Sequence, residues 1–542
     1  MADPPGISFR PLQRRDFALL AGWIAAPHVQ PWWMEPSDAA SVEARYGPTV
    51  DGRDPTRVFV IEADGTPVGI VQRYRNRDDP AWDRAIGIAD AAGIDYLIGE
   101  ADWTGRGVGS AAIRAFTELV FEAYPDVEVV TAAPQQANPA SWRALGRLGG
   151  EVTVTQHVSV VGIGMTPMGR RDLTPDVMAR DAARAALADA GLSSADIGLV
   201  IVANALGGRL CDQGCIRGQS WLRDVDLGTT GIVNVDNSCA GGSSAMHLGV
   251  MAAMAGQSPV LVVGVEKMWT GHRAETIAGI EDGLPAEERA ELRVRLDNDA
   301  GSVLMALNAT WVRHQIESRG TTARQIAETA AKARRCGARN PLAQFRTPVT
   351  ADEVLAAPMV VPPLTRLMCS SFTDGAAAAV LSAGAGPGAP RVRASILRSG
   401  HGELDYHDRL RETAEEAWKA AGIGPEDVDV LELHDATSAE ELYALESLGF
   451  FAPGAAGVAT AAGHTDVGGR AVCVNPSGGL VARGHPLGAT GICQIAELVA
   501  QLRGTATGRQ VHEPRLAAAV NTGGIMAGRD TALVAVHVLE RS

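Results

Sequence analysis

Four short stretches of this 542-residue chain carry residue types whose spacing suits chemistry. Cys239 stands in VNVDNSCAGGSSAMHLGVMAAMAG, directly after a short strand pattern and at the start of a small-residue helix. Unpaired amides and the helix dipole favour a thiolate there, which predicts a lowered pKa and a nucleophile. The glycines beside it let a substrate approach the backbone. A buried, unreactive thiol fits the same pattern, so the residues alone leave both readings open. His485 lies in VNPSGGLVARGHPLGATGICQIAELVAQLRG, between Gly484 and Pro486 and before a helix that begins around Ala489. A ring held at such a turn among glycines suits a site, although a solvated loop histidine is also compatible. His434 and Asp435 follow the strand pattern VDVLEL, at the end where open α/β sheets place ligands. Adjacent strand residues point to opposite faces, so Asp435 is expected to cap the next helix, TSAEELYALE, rather than partner His434. Finally, Thr104, Gly105, Arg106, Gly107, Val108 and Gly109 form a glycine-rich turn after the strand pattern IDYLIGEA and before an amphipathic helix. Helix-start amides there would stabilise a phosphate, while a plain strand-to-helix turn is the alternative.

These stretches need scaffolds, and the composition divides the chain to supply them. Six of the ten tryptophans (Trp23, Trp32, Trp33, Trp82, Trp103 and Trp142) precede residue 150, after which a Gly- and Ala-rich regime begins at HVSVVGIGMT. The early segment contains VFVIEADGTPVGIVQRY, two alternating strands around an Asp64-Gly65 turn, which is a hairpin signal. The later segment repeats itself: residues 190–202, AGLSSADIGLVIV, match residues 421–433, AGIGPEDVDVLEL, each after an alanine-rich helix. Repetition with alternating strands and helices, including VLVVGV and DTALVAVHVLE, predicts two similar α/β halves. Dense charge and helical periodicity across about 270–350 predict a helical insertion over the site. The expected domains are 1–155, then a first half over 156–385 and a second half over 386–542.

The totals exclude several classes. A length of 542 residues implies about three or four cores, and 46% hydrophobic with 20% charged residues is a globular composition. A formal charge of -15 argues against nucleic-acid or anionic-membrane partners, and an anionic ligand would need local basic groups or amides. Seven scattered cysteines without an N-terminal apolar segment fit the reducing cytoplasm. Cys211 and Cys215 lack a second pair or histidine at zinc spacing, so no metal site is expected. Nothing reaches the apolar length of a membrane span.

The segments NPSGGLVARGHPLGATG, ELHD, VGVEKM, NPLAQFR and PLTRLMCSSFTDGAAAAVL closely resemble the thiolase superfamily, in its sterol-carrier-protein-x or lipid-transfer branch, over roughly residues 157–542. The resemblance implies a duplicated five-layer αβαβα fold. It implies that Cys239 carries an acyl thioester, that His485 activates it and that His434 polarises the thioester oxygen. Asn475, Gly478, Gly479, Gly523 and Gly524 would then form the oxyanion and substrate loops. It further implies acyl-CoA as substrate, no tightly bound cofactor, a homodimer and a small OB-fold partner. The chain departs from the family where a second acid/base cysteine belongs: HDAT has Ala436 at that position, and NTGGIMAG lacks the alternative Cys-x-Gly. Cys369, Cys473 and Cys493 are expected to be packed core thiols. Without that proton acceptor, acyl transfer to carbon or amine and decarboxylative condensation remain, with retro-aldol cleavage as a further alternative.

The first segment resembles GCN5-related N-acetyltransferases of the aminoglycoside 6'-N-acetyltransferase type, through VQPWWMEP, ARYGPTV, GTPVGIVQRY, GIDYLIGEADWTGRGVGSAAIRAFTELVF and APQQANPASWRALGRLGG. The resemblance implies CoA pyrophosphate on Gly105, Gly107 and Gly109, a substrate amine at Asp95, and an acceptor site lined by Trp32 and Trp33. Leu145 replaces the tyrosine that would protonate departing CoA, Gly150 the closing phenylalanine, and Thr104 the usual Gln or Arg. The expectation is therefore an α/β acyltransferase of thiolase type, fused to an acetyltransferase-like module handling a small-molecule amine. The alternative is a noncatalytic CoA- or amine-binding module on a partner-dependent thiolase-like or retro-aldolase subunit.

Overall fold

The computed structural model describes residues 6–33, 35–78, 88, 90–127, 129–132, 138–146, 158–298, 301–384 and 388–542. Trp82, Gly150, the side chain of Trp142 and the expected 155/156 boundary lie outside the described residues. The chain divides into two compact units, Met1–Gln156 and His157–Ser542.

The smaller unit has one five-stranded sheet in sequence order: β1 (Ile7–Pro11), β2 (Arg57–Ala63), β3 (Thr66–Arg75), β4 (Ala92–Ile98) and β5 (Val130–Thr131). Asp64 and Gly65, both at positive φ, turn β2 into β3 with Ala63 paired to Thr66, as the Asp-Gly signal requires. All pairs are antiparallel except β4 with β5, between which the helix Val108–Ala123 crosses over. That helix buries Val108, Ala112, Ile113, Phe116 and Val120 on the sheet, at 3.6-residue spacing. Phe116 meets the edges of Phe9 and Phe59 at 5.0 and 5.3 Å, which fixes the helix and hence the glycine turn before it.

In the larger unit the repeat becomes symmetry. The first half contributes β6 (Val158–Met165), β7 (Leu199–Ala203), β8 (Gly231–Val235), β9 (Val260–Glu266) and β12 (Gly375–Ala383). A two-stranded ribbon, β10 (Met359–Val361) and β11 (Leu364–Thr365), precedes β12. The second half contributes β13 (Arg391–Ser399), β14 (Val430–Leu433), β15 (Cys473–Val474), β16 (Leu516–Met526) and β17 (Asp530–Glu540). The first half runs β8, β7, β9, β12, β6 and the second β15, β14, β16, β17, β13, with parallel and antiparallel pairs at equivalent places. One antiparallel pair, Ser159 with Arg391, joins the two sheets.

Helices complete five layers. Pro175–Ala190 packs on the first sheet and Tyr406–Ala421 on the second, each ended by a left-handed glycine, Gly191 or Gly422. Gly241–Met254 and Thr490–Leu502 lie side by side in the middle layer, sharing one core with strands of both sheets. The strand GAAAAVLSA stays narrow because its two faces meet helices of different layers. The stretch expected as a helical cover contains Arg273–Glu281, Ala286–Arg295, Val303–Arg319 and Ala323–Arg339. The last of these is instead core: it buries Ile326, Ala327, Ala330 and Lys332, because its apolar stripe packs on the helix Ser438–Ser447.

The middle layer docks closely on β9. A Cβ at Gly264 would lie 2.6 Å from both the Ala489 Cα and the Gly488 carbonyl oxygen. Gly264→Ala is therefore expected to destabilise the larger unit by about 1–3 kcal/mol through overpacking. Denaturant melts of wild type and variant check this, and coincident curves would remove Gly264 from the docking account.

Candidate active site

Cys239 sits in a single 3₁₀ turn, Ser238–Ala240, between the end of β8 and the helix Gly241–Met254. Ser238 has φ of 50°, and the Asn237 side-chain amide donates to Ser244 Oγ at 2.9 Å, so the turn is clamped to its helix. The expected lowering of the Cys239 pKa is overturned. Burial pushes the thiol up to about 12, and the weak Ser238 hydroxyl contact at 3.8 Å does not offset the desolvation. In the free protein the group is a neutral thiol.

His485 is fixed at two points, each braced in turn. Its backbone N–H donates to Thr373 Oγ1 at 2.9 Å, while Thr373 donates to Gln344 Oε1 at 2.6 Å. Its Nδ1 lies 2.8 Å from Thr490 Oγ1, whose own proton goes to the Pro486 carbonyl at 2.9 Å. Thr490 therefore accepts from Nδ1–H, which leaves Nε2 as the basic nitrogen. Burial, then His434 and Arg483, hold the ring well below its usual range and so neutral.

His434 caps the end of β14 and is likewise neutral, lowered to about 4 by burial. Its Nδ1 is 3.0 Å from Thr522 Oγ1, and Tyr406 Oη lies 3.5 Å from the same hydroxyl. Its Nε2 is buried without a hydrogen-bond partner among the described residues. The two imidazoles meet edge to face at 5.1 Å, and Cys239 Sγ and one nitrogen of each ring all lie within 4.8 Å of one another.

The three groups line a cavity of about 910 Å³. Gly523 and Gly524 also line it; Gly524, at φ 68°, stands out of the β16 ladder between the pairs Gly523 with Leu533 and Ile525 with Thr531. Five arginines share the cavity, Arg170, Arg171, Arg273, Arg334 and Arg366, which supplies the local positive charge an anionic ligand needs on an acidic protein. Arg170 lies over the Trp269 ring at 3.8 Å and Arg334 over Phe345 at 4.1 Å, so two of the guanidinium planes are held by aromatic faces.

Other expected site residues stand behind the cavity. Asn475 straps the site from the rear, accepting from the Leu433 N–H at 2.9 Å and donating to Glu441 at 3.2 Å. Glu441 in turn pairs with the buried Lys332 at 2.5 Å. Gly478 approaches the Gly337 backbone, and Gly479 faces the Asp435 carboxylate. Asp435 does not cap Ser438–Ser447, whose N-cap is Thr437; it accepts instead from the Leu480 N–H at 2.7 Å, 45 residues away. Cys473 and Cys493 are core thiols, but Cys369 lines the cavity with its thiol on the Thr365 carbonyl. Cys211 and Cys215 belong to no metal-sized group among the described residues.

Sequence reasoning missed the carboxylates that assemble the site. Glu266, at the end of β9, accepts from the N–H groups of Ala205, Leu206 and Gly488 and from the Asn204 amide, at 2.7–3.0 Å. Asp374 accepts from Met268, Trp269 and Arg171 N–H and pairs with Lys267 at 2.7 Å. Glu432 holds Ser477 and the buried Arg483. The signal was present in VGVEKM and TDG, where an acid ends or begins a buried strand, but its partners lie far along the chain.

In the smaller unit, Thr104–Gly107 loop into the helix Val108–Ala123, with Gly105 and Gly107 at φ of 71° and 86°. Cβ positions at Gly105, Gly107 and Gly109 face open space, and Arg106 lies 5.9 Å over the Trp103 ring. Asp95 accepts from Gln72 at 2.8 Å, and burial raises its carboxyl. Trp32 and Trp33 share the helix Gln30–Trp33; the Trp33 indole N–H is held by Glu35 and Tyr46, each at 3.0 Å. Leu145 packs with the core under the helix Val108–Ala123, so that position offers no proton.

A raised thiol pKa sets a pH response. Below that pKa the thiolate fraction grows about tenfold per pH unit, so iodoacetamide labelling of Cys239 should still be accelerating between about pH 7 and 10. Peptide mass spectrometry reads this, and a plateau near neutrality would show a preformed thiolate.

Comparison with known proteins agrees with this architecture. Family models match in three consecutive pieces: an acetyltransferase (GNAT) domain over residues 13–157, a thiolase N-terminal domain over 158–385 and a thiolase C-terminal domain-like region over 402–536. An acetyl-CoA acetyltransferase of Methanothermobacter thermautotrophicus is 35% identical over 403 residues, covering 71% of this chain and 100% of its own. A benzoylsuccinyl-CoA thiolase subunit of Thauera aromatica is 33% identical, covering 69% of this chain and 97% of its own. The solved Ltp2-ChsH2(DUF35) aldolase superposes with a TM-score of 0.59 at 21% identity, over 72% of this chain and 98% of that one, which is a likeness of fold. The chain belongs to the thiolase family of acyltransferases and carries a GNAT-type acetyltransferase domain ahead of its thiolase halves.

Proposed function

We propose that the larger unit transfers acyl groups from acyl-CoA through a thioester on Cys239. The observation that carries the reading is the meeting of Cys239, His434 and His485 within 4.8 Å on a cavity that also presents five arginines. Cys239 Sγ attacks the acyl-CoA carbonyl as its proton passes to His485 Nε2, the nitrogen left basic by Thr490. A hydrogen-bond relay from Tyr406 through Thr522 to His434 Nδ1 keeps the ring proton on Nε2, where it donates to the developing oxyanion beside Gly523 and Gly524. His485 then protonates the CoA thiolate as it leaves, and an acceptor carbon or amine takes the acyl group. A β-keto-acid acceptor can generate its carbanion by losing carbon dioxide. CoA is a substrate in this scheme, and no tightly bound cofactor is required.

The smaller unit, in the same reading, binds acyl-CoA at Thr104–Gly109 and a small-molecule amine near Asp95, Trp32 and Trp33. A second reading, binding without turnover, is favoured by Leu145 packing where a phenolic acid would be needed.

A homodimer fits the exposed edge strand β8, where Val233 and the nearby Leu248 and Met251 face outward. A small OB-fold partner is suggested by the relative named as a subunit and by the solved neighbour named as a pair. Seven unpaired cysteines fit a cytoplasmic setting, and among the described residues no helix is long and apolar enough to cross a membrane.

Incubation with a panel of acyl-CoAs, acetyl and malonyl included, tests the scheme by intact and peptide mass. The expected result is an acyl adduct on Cys239 that Cys239→Ala abolishes; an adduct that survives the substitution contradicts the scheme. In the same Cys239→Ala chain, CoA release from acetyl-CoA upon adding polyamines or aminoglycosides would assign turnover to the smaller unit. Binding without release would assign it the second role.

A further inference from the structure

The thiolase-like cavity lacks the second cysteine that would handle the acceptor's proton, yet it holds a buried carboxyl at that place. Glu440 lies in the first turn of the helix Ser438–Ser447 and lines the cavity with Asn308, Tyr406 and Cys369. Its Oε2 accepts from the N–H of Ala436 at 2.9 Å, so the carboxyl rests against the residue that stands where that cysteine would be. The same oxygen is 3.9 Å from His434 Nδ1, and the residue is only 4% exposed.

We propose that Glu440 is the acid/base residue that takes an α-proton from a second acyl-CoA acting as a carbon acceptor. This rests on the Cys239 thioester reading and adds its second half-reaction.

Three observations support it. Burial pushes Glu440 up to about 7, poised between its acid and base forms near neutrality, whereas the neighbouring Cys369 thiol is pushed up to about 12 and already donates to the Thr365 carbonyl. The carboxyl is not consumed by an ion pair: its N–H partner and the Asn308 side chain are both neutral. Other buried acids of the unit are committed, with Glu441 on Lys332, Glu432 on Arg483 and Glu266 on backbone amides.

The step balances. The Glu440 carboxylate removes the α-proton, and the resulting α-carbon bonds to the carbonyl carbon of the Cys239 thioester. The carbon–sulfur bond breaks, and the proton held by Glu440 replaces the one Cys239 lost on acylation. The product is a β-ketoacyl-CoA, with the thiol and the carboxylate restored.

The test compares wild type, Glu440→Gln and Glu440→Asp in the full chain, with acetyl-CoA in D₂O. Cys239 acetylation is followed by mass and deuterium entry at the acetyl methyl by NMR. Glutamine keeps an oxygen for the Ala436 N–H but is not basic. The expected result is acetylation within about twofold of wild type, deuterium entry slowed by about 100-fold or more, and partial recovery in Glu440→Asp. Deuterium entry unchanged by Glu440→Gln, or absent from an acetylated wild type, overturns the proposal. Failure of wild-type Cys239 to acetylate overturns the thioester reading itself, and this inference with it.

Discussion

Everything at the thiolase-type site depends on one constraint: carboxylates taken out of water must find donors, and here the donors are the backbone amides of the loops that carry the chemistry. Glu266 gathers amides from the loop after β7 and from Gly488 in the His485 loop. Burial raises the Glu266 carboxyl, and a buried polar group left without hydrogen-bond partners costs about 1–3 kcal/mol, so the loops close on Glu266 or the strand end is destabilised. Asp374 does the same for the segment after β9, and Asp435 for the turn that leads to His485. Glu266 joins the two halves of the duplication through Gly488, while Asp374 and Asp435 each tie loops within one half, so cysteine and histidines are positioned by the fold's interior rather than by their own loops.

The same burial explains the resting state. Desolvation raises the Cys239 thiol and lowers both histidines, so thiol and imidazole face each other uncharged. The helix start behind Cys239 offers some stabilisation to a thiolate, but desolvation of the thiol outweighs it. His434, whose Nε2 has no hydrogen-bond partner among the described residues, lines the same cavity as the Cys239 thiol. The five cavity arginines supply the complementary field for an anionic carrier on a chain of net charge -15.

Much of this was legible in the sequence, for physical reasons. The repeat of AGLSSADIGLVIV in AGIGPEDVDVLEL reported two equivalent helix-to-strand units, and the sheets have matching strand orders. Asp64-Gly65 specified its hairpin because two successive left-handed residues allow few other turns. Local rules failed where a partner is distant in sequence. Asp435 looked like a cap for its neighbouring helix but holds Leu480, and Asn475, Gly478 and Gly479 looked like cavity residues but brace it from behind. The insertion showed helical periodicity throughout, yet periodicity does not say that Ala323–Arg339 is mostly core, reaching the cavity through Arg334, while Arg273–Glu281 and Val303–Arg319 border it. Glu440 was invisible as chemistry because an acid in a helix's first turn is so common on electrostatic grounds.

The central claim is that this interior builds a pocket for one tetrahedral centre at Cys239. A crystal structure of the full chain after brief exposure to acetyl-CoA tests it most directly. The account predicts acetyl density continuous with Cys239 Sγ, the carbonyl oxygen within hydrogen-bond distance of His434 Nε2, and His485 Nε2 facing the sulfur. An acetyl group still attached to CoA, or a thioester whose oxygen points away from His434, would contradict it.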